Sequence, residues 1–434
     1  MNRTVEHSPR LEGTVVPPGD KSISHRAALL NAISDGDAVV SNFCVGDDRT
    51  SMLGCLRGLG VEIERAAEDG ATADREYFNI SGRGKSGLVE PNDVLFSGNS
   101  GTTMRLVSGL LAAQSFFSVI TGDSSLRRRP MKRILTPLSM MGAEVMGRNG
   151  GSLAPLAFSG GEIQGIEYDM PVASAQLKSC ILIAGLYAEG ETTVIQPAES
   201  RDHTERMMAA MGADIEKDGL RVTVRPSELK SINIQVPSDI SGAAFWLVAG
   251  AAHPNARITV KGVGVNPSRT GVLDVLAEMG ANIRMENVRE DGNEPAADLV
   301  VESSDLKGIE IGGDIIPRVV DELPVLAMAA SQASGQTVIR DAAELRVKES
   351  DRISATAEGL HALGASIREI DDGMIIEGGS KLTGAEVVSH GDHRIAMSMA
   401  VAGLVAGGET HIGDSEAADV SYPSFWETLE GLRS

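Results

Sequence analysis

The chain has 434 residues, more than one hydrophobic core ordinarily organises, so two or more domains are expected. Hydrophobic residues make up 42% and charged residues 23%, as in globular proteins, but aromatics are only 3%, so Leu, Ile, Val, Met and Ala must fill the core. A net charge of -21 excludes a general nucleic-acid or anionic-membrane surface, and an anionic ligand would need a locally basic pocket.

Met1 to Val16 carries no apolar signal-peptide core, and the longest apolar stretches, such as Ile395–Ala406, are too short to span a bilayer. Cys44, Cys55 and Cys180 are widely spaced and odd in number, which reads as reduced, buried thiols. A cytoplasmic protein with no membrane or nucleic-acid partner is expected.

Internal repetition organises the chain. A helical pattern ending in Gly and followed by a β-run occurs at RGLGVEI (57–63), SMMGAEV (139–145), AAMGADI (209–215), AEMGANI (277–283) and HALGASI (361–367). Glycine just past an apolar-periodic helix is the usual left-handed stop. PSFWETLEGLRS at the chain end resembles a sixth such helix without its strand.

A second element alternates with the first: a small-residue-rich helix, a polar turn and a strand. Its copies span 22–40, 101–120, 174–195, 241–260, 322–339 and 392–412. These helices are apolar nearly all round and are expected to be buried. Six α+β units about helical cores follow, three to a domain. The junctions Val16-Pro17-Pro18-Gly19-Asp20 and Val236-Pro237-Ser238-Asp239 read as two chain crossings, where proline suits a hinge. One domain is expected at 20–237 and the other at 1–19 plus 238–434.

The starts of the buried helices suit anions. Lys21, Ser22 and Arg26 lie near one helix N-terminus, where free N–H groups and the dipole attract phosphate or carboxylate. The same residues also suit a capping serine with solvated charges. Ser97–Thr103 is a glycine-rich approach to a helix that carries Arg105, but it lacks the spacing of a P-loop. Asp20 rather than Gly precedes Lys21-Ser22, which weakens a kinase or ATPase reading. Arg127–Arg133 is the densest positive charge in the chain, and Pro130 places Arg129 on extended backbone, a position for a bidentate clamp. Arg346, Lys348, Glu349, Asp351 and Arg352 cluster further on, and Asp392-His393-Arg394 opens another buried helix. Charge at the mouth of an apolar helix is costly unless paired, which makes these site candidates. His390 and His393 have a weak ligand-like spacing, but without HExxH or CxxC no metal is expected.

PGDKSISHRAALL (18–30), GNSGTTMRL (98–106), RRPM (128–131), SAQLKS (174–179), SRDHTE (200–205), VDELPVLA (320–327), LRVKESDRI (345–353) and DHRIAMS (392–398) together resemble the 5-enolpyruvylshikimate-3-phosphate synthases. The motifs occur in order along essentially the whole chain. The resemblance implies an α/β fold of two inside-out, barrel-like domains, each of three βαβαββ repeats, with the active site in the cleft between them. It implies that Lys21, Ser22, Arg26, Ser174, Gln176, Arg201, Asp321 and Lys348 hold shikimate 3-phosphate. Lys21, Gly101, Arg129, Arg352 and Arg394 would hold phosphoenolpyruvate, and glyphosate would inhibit there. Ala175, Glu344 and Val420 depart from one branch of the family, which has serine, asparagine and lysine at those places.

The implied reaction transfers the enolpyruvyl group to the shikimate 5-hydroxyl through a tetrahedral ketal, without metal or organic cofactor, and a monomer is expected. Two groups must exchange protons between addition and elimination. Asp321 is the expected base on the hydroxyl, Glu349 the expected acid at C3, and Lys21 a cation at the leaving phosphate. Asp321 also suits a helix N-cap before Glu322-Leu323-Pro324. Two rival readings are an enolpyruvyl transferase acting on UDP-N-acetylglucosamine and a non-catalytic anion- or RNA-binding module. The first lacks its loop cysteine in Gly122–Arg127, and the acidic balance weighs against the second.

Overall fold

In the computed structural model, which describes residues 2–66 and 76–433, the glycine stops fall where the repeat places them. Gly60, Gly142, Gly212, Gly280 and Gly364 all have φ between +85 and +97. Residues with a Cβ adopt that conformation only with strain, so the sequence can turn out of the helix there at little cost. The helices they end run over Asp47–Gly58, Lys132–Met140, His203–Ala210, Gly271–Glu278 and Arg352–Ala362. A strand follows each. The last amphipathic helix, Phe425–Leu432, has none after it.

The alternating helices are α1 (Lys21–Ala32), α2 (Gly101–Leu111), α3 (Ala175–Gly185), α4 (Ile240–Ala252), α5 (Leu323–Gln332) and α6 (His393–Val405). All are buried almost throughout: every residue of α2 is, as is α6 from Ile395 to Leu404. Small side chains make this possible, since Gly and Ala let neighbouring backbones approach closely. An added Cβ on Gly109 of α2 would stand 2.2 Å from the Cys180 carbonyl oxygen of α3.

Five of the six repeats build a four-stranded sheet with a common order. In the fifth, Glu310–Ile311 runs parallel to Gln336–Ile339, which is antiparallel to Gly373–Glu377, which is in turn antiparallel to Ser366–Ile370. The sixth repeat lacks a hairpin of its own. Its strand Glu409–Gly413, parallel to Glu386–Val388, pairs instead with Asn2–Glu6 from the chain's start. Leu11–Val15 supplies the parallel edge strand of the fourth repeat, against Ala256–Gly264.

The chain divides into two compact units. The first comprises Gly19–Val236 and Glu290–Glu294, and the second Met1–Pro18, Pro237–Arg289 and Pro295–Ser434. Each has its own core. That of the first is mostly aliphatic, with Met, Phe43, Phe78, Phe158 and the buried, unbridged Cys44, Cys55 and Cys180. Burial pushes the Cys55 and Cys180 thiols up to about 12. The second core holds a ring cluster in which Trp246 stacks on Phe425 at 5.0 Å and donates to the Tyr422 hydroxyl at 3.2 Å. Trp426 packs edge-on against Phe425. Among the described residues no helix is long and apolar enough to cross a membrane.

Candidate functional site

In the first unit the approach to α1 is fixed by close packing. A Cβ on Gly19 would lie 1.8 Å from the Asn42 carbonyl oxygen, so only glycine fits there. Asp20 then caps the helix, accepting from the Ile23 N–H at 2.9 Å. That sets exposed Lys21 and half-buried Ser22 on the first turn, at the positive end of the helix dipole. Arg26 is buried one turn further in. Its Nε donates to Thr204 Oγ1 at 2.6 Å, Nη2 to Ser179 Oγ at 2.8 Å and Nη1 to the Ser22 carbonyl at 2.9 Å. Arg26 thus ties α1, α3 and the His203–Ala210 helix together. Burial lowers its guanidinium to about 10, against the attraction of Glu205 and Asp20 and with the help of Arg201, whose charge lies nearby. Below it, buried Lys178 pairs with Glu205 at 2.6 Å, a neutralised couple inside the core.

Helices α2 and α3 present their starts side by side. Ser100 caps α2 through the Thr103 N–H at 3.1 Å, and Ser174 caps α3 through the Leu177 N–H at 3.4 Å. Gln176 bridges the two helices. Its Nε2 donates to Thr102 Oγ1 at 2.9 Å, and its Oε1 accepts a short hydrogen bond from Arg105 Nη1. Arg129 leaves the short turn Leu126–Arg128 on extended backbone, with φ -74 and ψ 137, as the following proline predicts. Its Nη2 donates to Asn99 Oδ1 at 2.7 Å, and the Asn99 amide donates to Asp123 at 2.8 Å. A Cβ on Gly101 would stand 3.0 Å from Arg105 Nη1 and 3.6 Å from Arg129 Nη1. Burial first, then repulsion from Arg133 and Arg129, lowers the Arg105 guanidinium to about 10. Positive charge therefore gathers where α2 begins.

The second unit centres on one guanidinium. Arg352 is 2% exposed. Its Nε donates to Asp392 Oδ2 at 2.8 Å, Nη2 to Glu349 Oε2 at 2.6 Å and Nη1 to Asp321 Oδ1 at 3.4 Å. Burial disfavours its charge, but Glu349, Asp392 and Asp321 outweigh that and raise Arg352 above its ordinary value. Asp392 is fully buried, caps α6 by accepting from the Arg394 N–H at 2.9 Å, and accepts from Ser350 Oγ at 3.1 Å. Burial alone would push its carboxyl up, yet the Arg352 charge and hydrogen bond hold it below the usual carboxylate range.

The turn before Arg352 is held from outside. Arg346 donates to the carbonyls of Asp371 and Ile370 and to Asp351, each at 2.8 Å. Asp351 caps the Arg352–Ala362 helix through the N–H groups of Ile353 and Ser354. Lys348 pairs with Glu344 at 2.5 Å. The N-cap of α5 is Glu322, not Asp321, because Pro324 occupies the first turn and the helix begins at Leu323. Asp321 is therefore left to contact Arg352. Glu322 is buried and accepts from Ser241 Oγ, an oxygen that also accepts from Arg269 Nη2 at 2.8 Å. Burial pushes the Glu322 carboxyl up, with Arg269 opposing and the neighbouring Asp321 reinforcing. Arg394 donates to the Ser241 carbonyl at 3.2 Å and lies over the Phe245 ring. His390 lies 3.2 Å from Glu358.

The structure thus gathers Asp321, Glu349 and Arg352 in one cluster, with Arg394 in the first turn of the helix that Asp392 caps. It gathers Gly101, Arg129 and Gln176 around Arg105, and Ser22 with Arg26. Arg105, Asn99, Glu322, Asp392 and Arg269 were not assigned roles from sequence. Asp392 had a visible signal, an acid one residue before a buried helix. Arg269 had none, since its partners Asp239 and Ser241 lie 30 and 28 residues earlier, at the start of the same repeat.

A family profile for EPSP synthase (3-phosphoshikimate 1-carboxyvinyltransferase) matches residues 5–429. The chain is 55% identical over 424 residues to a 3-phosphoshikimate 1-carboxyvinyltransferase of Desulforudis audaxviator, covering 98% of this chain and 97% of that one. It is 54% identical, with the same coverage, to a protein of that name from Gloeobacter violaceus. A solved EPSP synthase from Acinetobacter baumannii superposes with a TM-score of 0.92 at 44% identity, over 100% of this chain and 98% of that one. With its motifs, repeats and whole-chain similarity in agreement, the chain belongs to the EPSP synthase family.

Proposed function

We propose that this chain transfers the enolpyruvyl group of phosphoenolpyruvate to the 5-hydroxyl of shikimate 3-phosphate and releases phosphate. The observation that carries the reading is the single guanidinium of Arg352 joining Asp321 to Glu349. Two carboxylates fixed to one cation are held at a set separation, as a reaction with two proton transfers at neighbouring atoms requires. Asp321 takes the proton of the 5-hydroxyl as its oxygen bonds to C2, and Glu349 gives a proton to C3. In the second half C3 returns its proton to Glu349, the double bond re-forms, the C2–O bond to phosphate breaks, and the proton held by Asp321 leaves with the phosphate.

The anion-holding roles follow the charge. Lys21, Ser22, Arg26, Ser174, Gln176, Arg201 and Lys348 hold shikimate 3-phosphate, and Lys21, Gly101, Arg129, Arg352 and Arg394 hold phosphoenolpyruvate. Guanidinium and N–H groups preset at helix starts stabilise the charge on the departing phosphate without reorganising, and Lys21 acts there. The reaction belongs to the shikimate pathway, which supplies the aromatic amino acids. A cytoplasmic location fits the three buried cysteines, none in a disulfide.

Phosphate release measured with both substrates, and with each omitted in turn, tests the reading. Release should require both and no added metal. Release with UDP-N-acetylglucosamine in place of shikimate 3-phosphate would overturn it.

Glyphosate provides a second test. Nothing but hydrogen projects from Gly101 toward Arg105 and Arg129, so the wild type should be sensitive. In Gly101→Ala the methyl presses on Arg105 Nη1 and occupies space an inhibitor longer than phosphoenolpyruvate needs. Overpacking of this kind costs about 1–3 kcal/mol, roughly tenfold or more in affinity. Inhibition curves should shift by that factor, with a smaller rise in the KM for phosphoenolpyruvate. Equal inhibition of both forms would remove Gly101 from the inhibitor's surroundings.

A further inference from the structure

We propose that Lys178 is a positioning residue for the phosphate end of shikimate 3-phosphate: it holds Glu205 in a buried pair, so that Arg26 keeps its charge for the ligand. The proposal rests on the reading given above, in which Arg26 and Arg201 hold that substrate. Two neighbouring residues on each of two helices carry the argument. On α3, Ser179 accepts from Arg26 Nη2 at 2.8 Å, and Lys178 precedes it. On the His203–Ala210 helix, Thr204 accepts from Arg26 Nε at 2.6 Å, and Glu205 follows it. The Ser179 and Thr204 hydroxyls share a hydrogen bond of 2.6 Å, and Lys178 and Glu205 pair at 2.6 Å.

The acceptors that hold Arg26 are uncharged: two hydroxyls and the Ser22 carbonyl. They orient the guanidinium without neutralising it, which leaves its charge for an anion. Burial disfavours that charge, and Glu205 is foremost among the carboxylates that attract it. The Glu205 carboxylate is itself buried, and apart from the ion pair no hydrogen bond reaches either of its oxygens among the described residues. A buried carboxylate stripped of its ammonium would take the nearest cation in exchange. Lys178 is wholly buried, so it acts from behind Arg26 rather than as a ligand of the substrate. Its Nζ also donates to the Ser200 carbonyl at 3.3 Å, and the Ser200 hydroxyl donates to Gln196 at 2.5 Å, which steadies the chain leading into Arg201.

The test is a double-mutant cycle on the whole protein, read by calorimetric titration with shikimate 3-phosphate and by steady-state turnover. Lys178→Met keeps the apolar stem, loses the ammonium and leaves Glu205 to draw on Arg26. The dissociation constant and KM for shikimate 3-phosphate should rise by about tenfold, with kcat and the KM for phosphoenolpyruvate changed far less. Adding Glu205→Gln to Lys178→Met removes the competing charge and should recover most of the affinity, a rescue that a packing role would not give. Glu205→Gln alone should bind shikimate 3-phosphate no more weakly than the wild type, and it carries the test should Lys178→Met not fold. Wild-type affinity in Lys178→Met, no recovery in the double variant, or weaker binding in Glu205→Gln would overturn the positioning role alone. A wild type that binds no shikimate 3-phosphate would overturn the functional reading and this role with it.

Discussion

Asp321→Asn and Glu349→Gln should each lower kcat by about two or more orders of magnitude, with much smaller changes in substrate binding. Both amides keep the size of the side chain and an oxygen that can accept from Arg352, so the cluster should stay assembled. What they lose is the ability to carry a proton. Asp321 contacts Arg352 at 3.4 Å and is partly exposed. Glu349 is more exposed and more tightly tied, at 2.6 Å. Steady-state turnover together with equilibrium binding of shikimate 3-phosphate separates the two effects. Near-normal turnover in Asp321→Asn would take that residue out of the mechanism.

Asp392→Ala should be the most destabilising single change in the second unit's site. It removes the carboxylate from a buried pair and the cap from α6 in one step. Breaking a buried ion pair by deleting one member typically costs about 3–5 kcal/mol. Here Glu349 and Asp321 still neutralise Arg352, so the lower end is expected, and thermal or denaturant unfolding would report it. Asp392→Asn, which keeps an acceptor and the cap, should recover part of the loss. The pH dependence has a definite sign. The Asp392 carboxyl is held below its unfolded value, so its contribution is fully present above about pH 4 and disappears as pH falls through the lower, folded value. The acid limb of the stability curve should therefore be shallower in Asp392→Ala than in the wild type. Identical acid limbs would mean that Asp392 contributes no charge interaction.

The features legible from the sequence were those set by local chemistry. The five glycine stops announced themselves because a left-handed residue after an apolar helix has few alternatives. The buried helices were readable from small and apolar residues on every face. Arg129 could be placed on extended backbone from the proline beside it. What stayed hidden depended on which repeat lies beside which. The Arg352 cluster draws on three segments, 321, 349–352 and 392, and no local pattern says that one guanidinium meets all of them. The short bond from Arg105 to Gln176 likewise joins the starts of two helices far apart in sequence. Asp321 also suited a cap because Pro324 falls in the first turn whether the helix begins at Glu322 or at Leu323, and only the fold decides between them.

The uneven composition of the two cores supplies two native reporters that do not overlap. Both tryptophans, Trp246 and Trp426, sit in the ring cluster of the second unit, whereas all three cysteines are buried in the first. Tryptophan emission therefore follows the melting of one unit, and the rate at which a thiol reagent gains access follows the opening of the other. No dye or engineered label is needed to learn whether the two halves of this chain unfold in one cooperative transition or in two.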